Sequence, residues 1–492
     1  MSNHEEGLIL AIDQGTTGTT ALLLNPQVEP VASYNVEFPN HYPAPGLVEH
    51  DVEEIWVSIR EAVKGALKES GRKASEIRAI GITNQRETSL FWHKDSGAPL
   101  HRALVWQDKR TAARCESLRA AGHEPMFRRK TGLVLDPYFS GTKAAWVLEN
   151  VEGARNLAES GQALFGTIDS WLTWRLCGAH VTDPSNASRT LMMELSSTQW
   201  DQELLDILGV PKECLPEIRS SSEVYGYTKG LDFLPDGIPV AGVIGDQQGA
   251  LFGQACFMGG MAKCTYGTGA FVLLNTGKDI VESDNGMLTT VAWKLGDETT
   301  YALEGSAFIA GAAVQWLRDG LQIIGSAEEI EALARTVETS AGVTFVPALA
   351  GLGAPHWRPD ARGLISGLTG GSTKAHLARA TLEGLALQIM DILDAMTKDL
   401  GGQLRELRVD GGAANNDLLM EIQASVLNSA VTRPTCLETT ALGSAFLAGL
   451  AVGLWDSVEA VAEAWRVDRV FEPTGVDNSA LIKQWQAALE KA

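Results

Sequence analysis

Apolar residues fall in two rhythms along the chain. Positions 8–24 are apolar except for a central tract, Asp13-Gln14-Gly15-Thr16-Thr17-Gly18-Thr19-Thr20, a pattern that predicts two buried strands joined by a tight polar turn. Strand patterns return over 77–91, whereas Ile55, Ile59, Val63 and Leu67 stand at helical spacing and predict an amphipathic helix over 52–67. Further helices are predicted over 112–121, 141–150 and 202–208, and a strand over 238–246 leads into a helix over 247–257. After a break at Met258-Gly259-Gly260, residues 261–275 repeat the opening strand, Gly/Thr turn and strand about 250 residues later. Long helices are predicted over 375–399 and 416–429. The recurrence points to an internal duplication, although so short a self-similarity also arises by chance.

With 492 residues the chain exceeds the size at which one core keeps growing, so two domains, 1–257 and 258–492, with a cleft between them, are expected. No apolar run approaches the roughly 18 residues that span a bilayer. The opening residues 1–6 are acidic where a signal peptide is basic, and cytoplasmic residence is expected. Six cysteines show no CxxC or metal spacing and read as reduced thiols. A formal charge of -21 argues against nucleic acid or an anionic membrane as partner. An anionic nucleotide meets the same field, so backbone amides and Mg²⁺ must hold it locally.

The first turn has the right chemistry for that task. Gly15 and Gly18 are expected to permit positive φ and close backbone approach, successive N–H groups and hydroxyls can meet phosphate oxygens, and Asp13 can hold hydrated Mg²⁺. Alone, the segment reads equally as a hairpin turn rich in Gly and Thr. It is joined, however, by Gly245-Asp246-Gln247-Gln248, Gly267-Thr268-Gly269 and Asp410-Gly411-Gly412-Ala413-Ala414-Asn415-Asn416. In this order the set resembles the actin-like, ribonuclease-H-like ATPases, and implies an α/β fold of two duplicated domains gripping a nucleotide from opposite sides. The segments 82–88, 105–110, 131–143 and 351–357, carrying Thr83-Asn84-Gln85-Arg86-Glu87, Trp106-Gln107-Asp108, Asp136-Pro137-Tyr138 and Gly353-Ala354-Pro355, are similar to glycerol kinases of the FGGY carbohydrate kinase family. The similarity runs from about residue 8 to 455.

The resemblance implies ATP-dependent phosphorylation of glycerol, with ATP and Mg²⁺ required and a homo-oligomer, dimer or tetramer, expected. Arg86, Glu87, Tyr138, Asp246 and Gln247 are implied to hold the polyol, with Trp106 and Phe271 flanking its carbons. Paired donors and acceptors beside an apolar wall are what a small polyol needs. Arg86 and Glu87 are chain neighbours that face opposite sides of a regular strand, so they reach one ligand only if the strand breaks after Thr83-Asn84; otherwise they are an exposed, solvated pair. Asp246 is the implied base and shares the metal with Asp13. Thr16, Thr17, Gly18 and Thr268 are implied at the phosphates, and Gly311, Gln315, Gly412 and Asn416 along the rest of the nucleotide. Two departures stand out. Thr20 replaces an arginine common in the family, and 228–237 lacks both the Gly-Gly-Thr-Arg loop that binds fructose 1,6-bisphosphate in some relatives and the histidine phosphorylated in others. Kinases of a related polyol or ketose, and a chaperone-like or filament-forming ATPase switch, are the competing functions.

Overall fold

The computed structural model describes residues 7–492; the acidic segment 1–6 weighed against a leader lies outside them. Among the described residues no helix is long and apolar enough to cross a membrane. The opening pattern folds as expected. Strands β1 (Leu8–Gln14) and β2 (Gly18–Leu24) form an antiparallel hairpin, continued by β3 (Pro30–Glu37). Parallel to β1 runs β4 (Ile77–Asn84), followed outward by β6 (Pro239–Gly245) and the edge strand β5 (Ser222–Tyr227), giving the order β5-β6-β4-β1-β2-β3. A second sheet is built from β7 (Met261–Tyr266), β8 (Ala270–Gly277), β9 (Leu288–Leu295), β10 (Glu298–Ala307), β11 (Glu406–Asp410), β12 (Val431–Pro434) and β13 (Val467–Phe471), in the order β9-β10-β8-β7-β11-β12-β13.

The two sheets share a plan. In each, a hairpin carries a third antiparallel strand on one side and two parallel strands on the other: β3-β2-β1-β4-β6 matches β10-β8-β7-β11-β12. The duplication inferred from two Gly/Thr turns therefore extends to topology. Central strands buried on both faces, such as β1, are near-continuously apolar for that reason.

Helix α1 (Val52–Ser70) begins at Asp51, whose carboxylate accepts from the Glu53 amide, and buries Ile55, Ile59 and Val63 against the first sheet. It runs three residues past the predicted end because the left-handed stop, Gly71 at φ 67°, lies there. Helix α2 (Asp246–Gly253) is shorter than the predicted 247–257. Ala255 turns to φ 50°, and tertiary donors take the carbonyls that would have continued the helix: Arg408 binds the Gln254 carbonyl and Asn275 that of Cys256. Helices α3 (Gly311–Asp319), α4 (Lys374–Leu400) and α5 (Asp417–Leu427) belong to the second lobe; α5 starts one residue late because Asn416 is its cap and ends where Asn428 adopts φ 48°.

Helix α6 (Thr439–Ala451) follows β12 as α2 follows β6, and these equivalent helices cross. A Cβ on Gly443 would sit 2.0 Å from the Gly249 carbonyl oxygen, and one on Gly253 would sit 1.9 Å from that of Thr439, so the crossing requires glycine. Around it Leu442, Phe446 and Leu447 pack with Ile244, Leu251 and Phe252, making one apolar cluster out of both halves of the chain.

Candidate active site

The first turn is closed by the Gly15 amide donating to the Gly18 carbonyl at 2.9 Å. Neither glycine takes the positive φ expected of it. Gly18 is needed for close approach instead, since a Cβ there would come within 3.1 Å of the Asn35 side chain and 3.2 Å of the Val36 carbonyl oxygen. Thr17 is exposed at the tip, while Thr16 and Gly18 are half-buried beside it. Thr16 accepts from the Trp106 indole N–H at 2.9 Å, which leaves the hydroxyl proton of Thr16 free for an acceptor. Thr20 pairs across the hairpin with Asp13 and accepts from Asn35.

The second turn lies among its own partners. The Thr268 carbonyl accepts from the amides of Ala310 and Ala312, and the Gly267 carbonyl from that of Gly311, which sets the start of α3 beside the turn. Gly411, at φ 83°, presses against the Tyr266 backbone, where a Cβ would lie 2.5 Å from its carbonyl oxygen, and Gly412 follows at the surface. Thr268, Gly311 and Gly412 are thus grouped. Gln315 is exposed one turn into α3. Asn416 spends its side-chain oxygen on the Leu419 amide at 2.9 Å, so only its NH₂ is available to a ligand.

The strand break anticipated before Arg86 and Glu87 is present. Strand β4 ends at Asn84, Gln85 donates from its amide to the Gln14 carbonyl at 2.7 Å, and Glu87 sits at φ 61°, a strained conformation for a non-glycine residue. Both side chains are buried, at 2% and 1% exposure, which excludes the solvated-pair alternative. They meet two residues that sequence inspection had not singled out. Arg86 forms a fork onto Glu304, with Nη1 to Oε2 at 2.5 Å and Nη2 to Oε1 at 3.0 Å, while Arg189 donates to Glu87 Oε1 at 2.7 Å and to Glu304 Oε1 at 2.9 Å. Burial alone would raise Glu304, but Arg189 and Arg86 hold its pKa down to about 2. For Glu87, burial outweighs Arg86 and Arg189, and its pKa is raised.

Asp246 opens α2 at the edge of this cluster. Its Oδ1 accepts from the Gln247 amide at 2.7 Å and lies 3.1 Å from Arg86 Nε, a buried N–H with no aligned hydrogen-bond acceptor. Among the described residues its Oδ2 has no protein partner. Burial raises the Asp246 pKa against the opposing pull of Arg86, the Gln247 amide and Lys263. The Gln247 side chain accepts from buried Lys263 of β7 at 2.5 Å, and Lys263 also donates to Thr265, whose position on β7 pairs with Phe271 on β8. Tyr138 completes the wall. Its ring meets Trp106 edge-on at 5.6 Å, and buried Lys143 donates to its carbonyl at 2.7 Å. Residues from both lobes therefore converge at Asp246.

Half-buried Asp13 has its pKa pushed up to about 8 by burial, then by Asp246, then by Glu438. Like charge from Asp246 and Glu438 crowds Asp13, but among the described residues no three metal-ligating side chains cluster closely enough to hold an ion; Asp13 and Asp246 offer the oxygen donors that a hard divalent cation such as Mg²⁺ takes. The linkage has a definite sign. A carboxyl raised from 3.8 to about 8 by folding binds more protons native than unfolded between those values, so it destabilises the native state increasingly as pH rises through that window. In thermal melts of nucleotide- and metal-free protein, Asp13→Asn should be neutral near pH 4 and increasingly stabilising as pH rises toward 8, with no further gain well above it. Magnesium should stabilise only the wild type. Equal melting of both proteins at every pH would contradict this carboxylate crowding.

Two family models match the chain: the N-terminal domain of the FGGY family of carbohydrate kinases over residues 8–253, and the C-terminal domain of that family over 262–452. The chain belongs to this family. It is 56% identical to a glycerol kinase of Myxococcus xanthus over 490 residues, covering 98% of this chain and 99% of that one. A glycerol kinase of Deinococcus radiodurans is 55% identical over 496 residues, covering 100% and 98%. The crystal structure of Plasmodium falciparum glycerol kinase with ADP superposes with a TM-score of 0.93 at 37% identity, covering 99% of this chain and 98% of that one.

Proposed function

We propose that the protein transfers the γ-phosphoryl group of ATP to a terminal hydroxyl of glycerol, giving sn-glycerol 3-phosphate. The observation that carries this is the unspent pair at Asp246: a buried Arg86 Nε–H without an aligned acceptor, and a carboxylate oxygen without a donor. A hydroxyl, donor and acceptor at once, satisfies both. The names of the relatives supply the polyol. Residues 7–257 form the lobe that holds it and the first phosphate turn, and 258–492 the lobe that holds the nucleotide, apart from α6, which packs on the first sheet.

Asp246 orients the attacking hydroxyl and takes its proton as the new bond forms; the raised pKa brings it closer to a useful base, though it remains far weaker than an alkoxide. Arg86, Glu87 and the Gln247 amide group hold the remaining hydroxyls, and Trp106, Tyr138 and Phe271 flank the carbons. Thr16, Thr17 and Gly18 meet the phosphates from one hairpin and Thr268 from the other, while Gly311, Gln315, Gly412 and Asn416 line the rest of the nucleotide. Asp13 and Asp246 would hold Mg²⁺, which when bound would neutralise phosphate charge. Closing of the lobes about the α2–α6 crossing excludes water from the γ-phosphate.

Initial rates with glycerol, erythritol, dihydroxyacetone and xylulose test the substrate. The highest kcat/KM is expected for glycerol, and a higher value for a ketose or longer polyol would reassign the enzyme within its family. Regulation by fructose 1,6-bisphosphate is not expected. Segment 228–237 is a self-satisfied turn in which Phe233 and Leu234 are buried, Thr228 donates to the Pro235 carbonyl at 2.7 Å and the Gly230 amide to Asp236 at 2.7 Å. Glycerol-dependent rates should be unchanged by millimolar fructose 1,6-bisphosphate; strong inhibition would show a binding loop elsewhere.

A further inference from the structure

We infer that Glu304 and Arg189 are positioning residues for polyol recognition: Glu304, delivered by the second lobe, fixes the Arg86 guanidinium of the first, and Arg189 fixes the Glu87 carboxylate. The polyol site is then assembled only while the seam between lobes is made. This rests on the assignment of Arg86 and Glu87 to the polyol.

The geometry is specific. Glu304 is an acid in the middle of β10, within the buried run Tyr301–Leu303 on one side and Gly305 on the other, and it is 3% exposed. Its two oxygens accept three N–H groups from two arginines that lie 218 and 115 residues away in the chain. Gln248 of α2 braces the same guanidinium, accepting from Arg86 Nη1 at 3.2 Å while donating to Thr290 and to the Val291 carbonyl of β9. Arg189 is fully buried, with its guanidinium carbon 5.8 Å from the Tyr138 ring centre and 5.2 Å from that of Phe139. One arginine thus touches Glu87, Glu304 and the face of the aromatic wall.

Energetics separates this role from a purely structural one. A buried ion quartet gains little net stability over apolar side chains of the same volume, because desolvation offsets the Coulomb attraction. What it does provide is orientation. With both Nη groups of Arg86 committed, its Nε is left as the donor that faces Asp246. With one oxygen of Glu87 committed to Arg189, the other is left for a hydroxyl. A glutamine at 304 keeps one acceptor but loses the charge and half of the fork. A lysine at 189 keeps the charge but cannot bridge two carboxylates and stack on the rings as a planar fork does.

The test compares wild type, Glu304→Gln and Arg189→Lys by steady-state kinetics in both substrates, with thermal melts alongside. Each variant should raise the polyol KM by about tenfold or more while the KM for ATP stays within about twofold, because only the polyol ligands are released. Variants that melt earlier but keep both KM values would assign the quartet to stability alone and overturn the inference, as would a parallel rise in both. Arg189→Lys guards against a Glu304→Gln protein too unstable to assay. If wild type is inactive on glycerol, the proposed function fails; the comparison is then made with whichever polyol of the panel is phosphorylated, and the split between polyol and ATP is still read.

Discussion

Asp246→Asn should lower turnover by roughly a hundredfold or more while changing the KM for ATP by less than about threefold. The substitution preserves shape and keeps an oxygen for the Gln247 amide, which now meets Asp246 Oδ1 at 2.7 Å. It removes the charge that opposes Arg86 and the oxygen that accepts the substrate proton. Because burial raises the Asp246 pKa, wild-type kcat should climb with pH through a value above the ordinary carboxylate range, and the variant should lose that limb. A variant with wild-type turnover would remove Asp246 from its role. A loss confined to the KM for ATP would move it to the nucleotide.

Arg86→Leu should be the most damaging single change in the chain. Arg86 neutralises Glu304 and lies against Glu87, both buried, and against half-buried Asp246. Removing it leaves two buried carboxylates, Glu87 and Glu304, sharing Arg189 as their cation, an imbalance that costs about 3–5 kcal/mol of stability and abolishes polyol-dependent turnover. The pH dependence identifies the cause. In wild type Glu304 is held at about 2 by its arginines, a lowered pKa whose stabilisation is present above the unfolded value of 4.5 and is lost as pH falls toward 2. Without Arg86 the Glu304 pKa rises, so the deficit of the variant should shrink as the solution is acidified from pH 7 toward pH 5. A constant deficit over that range would point to lost packing of the arginine stem instead.

The elements with local signals were legible from sequence. The hairpin at Leu8–Leu24, the apolar stripe of α1 and the long α4 appear within a few residues of their expected places, because each is specified by its own periodicity and caps. The break after Asn84 was legible for a geometric reason: two chain neighbours cannot serve one ligand from a regular strand. What was not legible is nonlocal. Glu304 and Arg189 carry no motif, and their partners are brought by sheet packing. One signal existed, an acid that follows the apolar run Tyr301-Ala302-Leu303 and precedes Gly305, a place where it cannot be buried without a cation. Nor did the sequence show that α6 would pack on the first sheet; small residues such as Gly443 reveal a close crossing only once the opposing Gly249 and Gly253 are known. Gly15 and Gly18 were read for positive φ and close backbone approach; neither takes a positive φ, and the crowding by Asn35 and Val36 falls on Gly18 alone.

All of these expectations depend on one transfer, from ATP to a three-carbon alcohol, at a site shared by two lobes. Identifying the products after incubation of the purified protein with glycerol, ATP and magnesium, by phosphorus NMR and a stereospecific assay of the ester, tests it most directly. Equimolar ADP and sn-glycerol 3-phosphate, formed only when glycerol is present, is the predicted result. ATP breakdown to ADP and free phosphate at a rate indifferent to glycerol would contradict it.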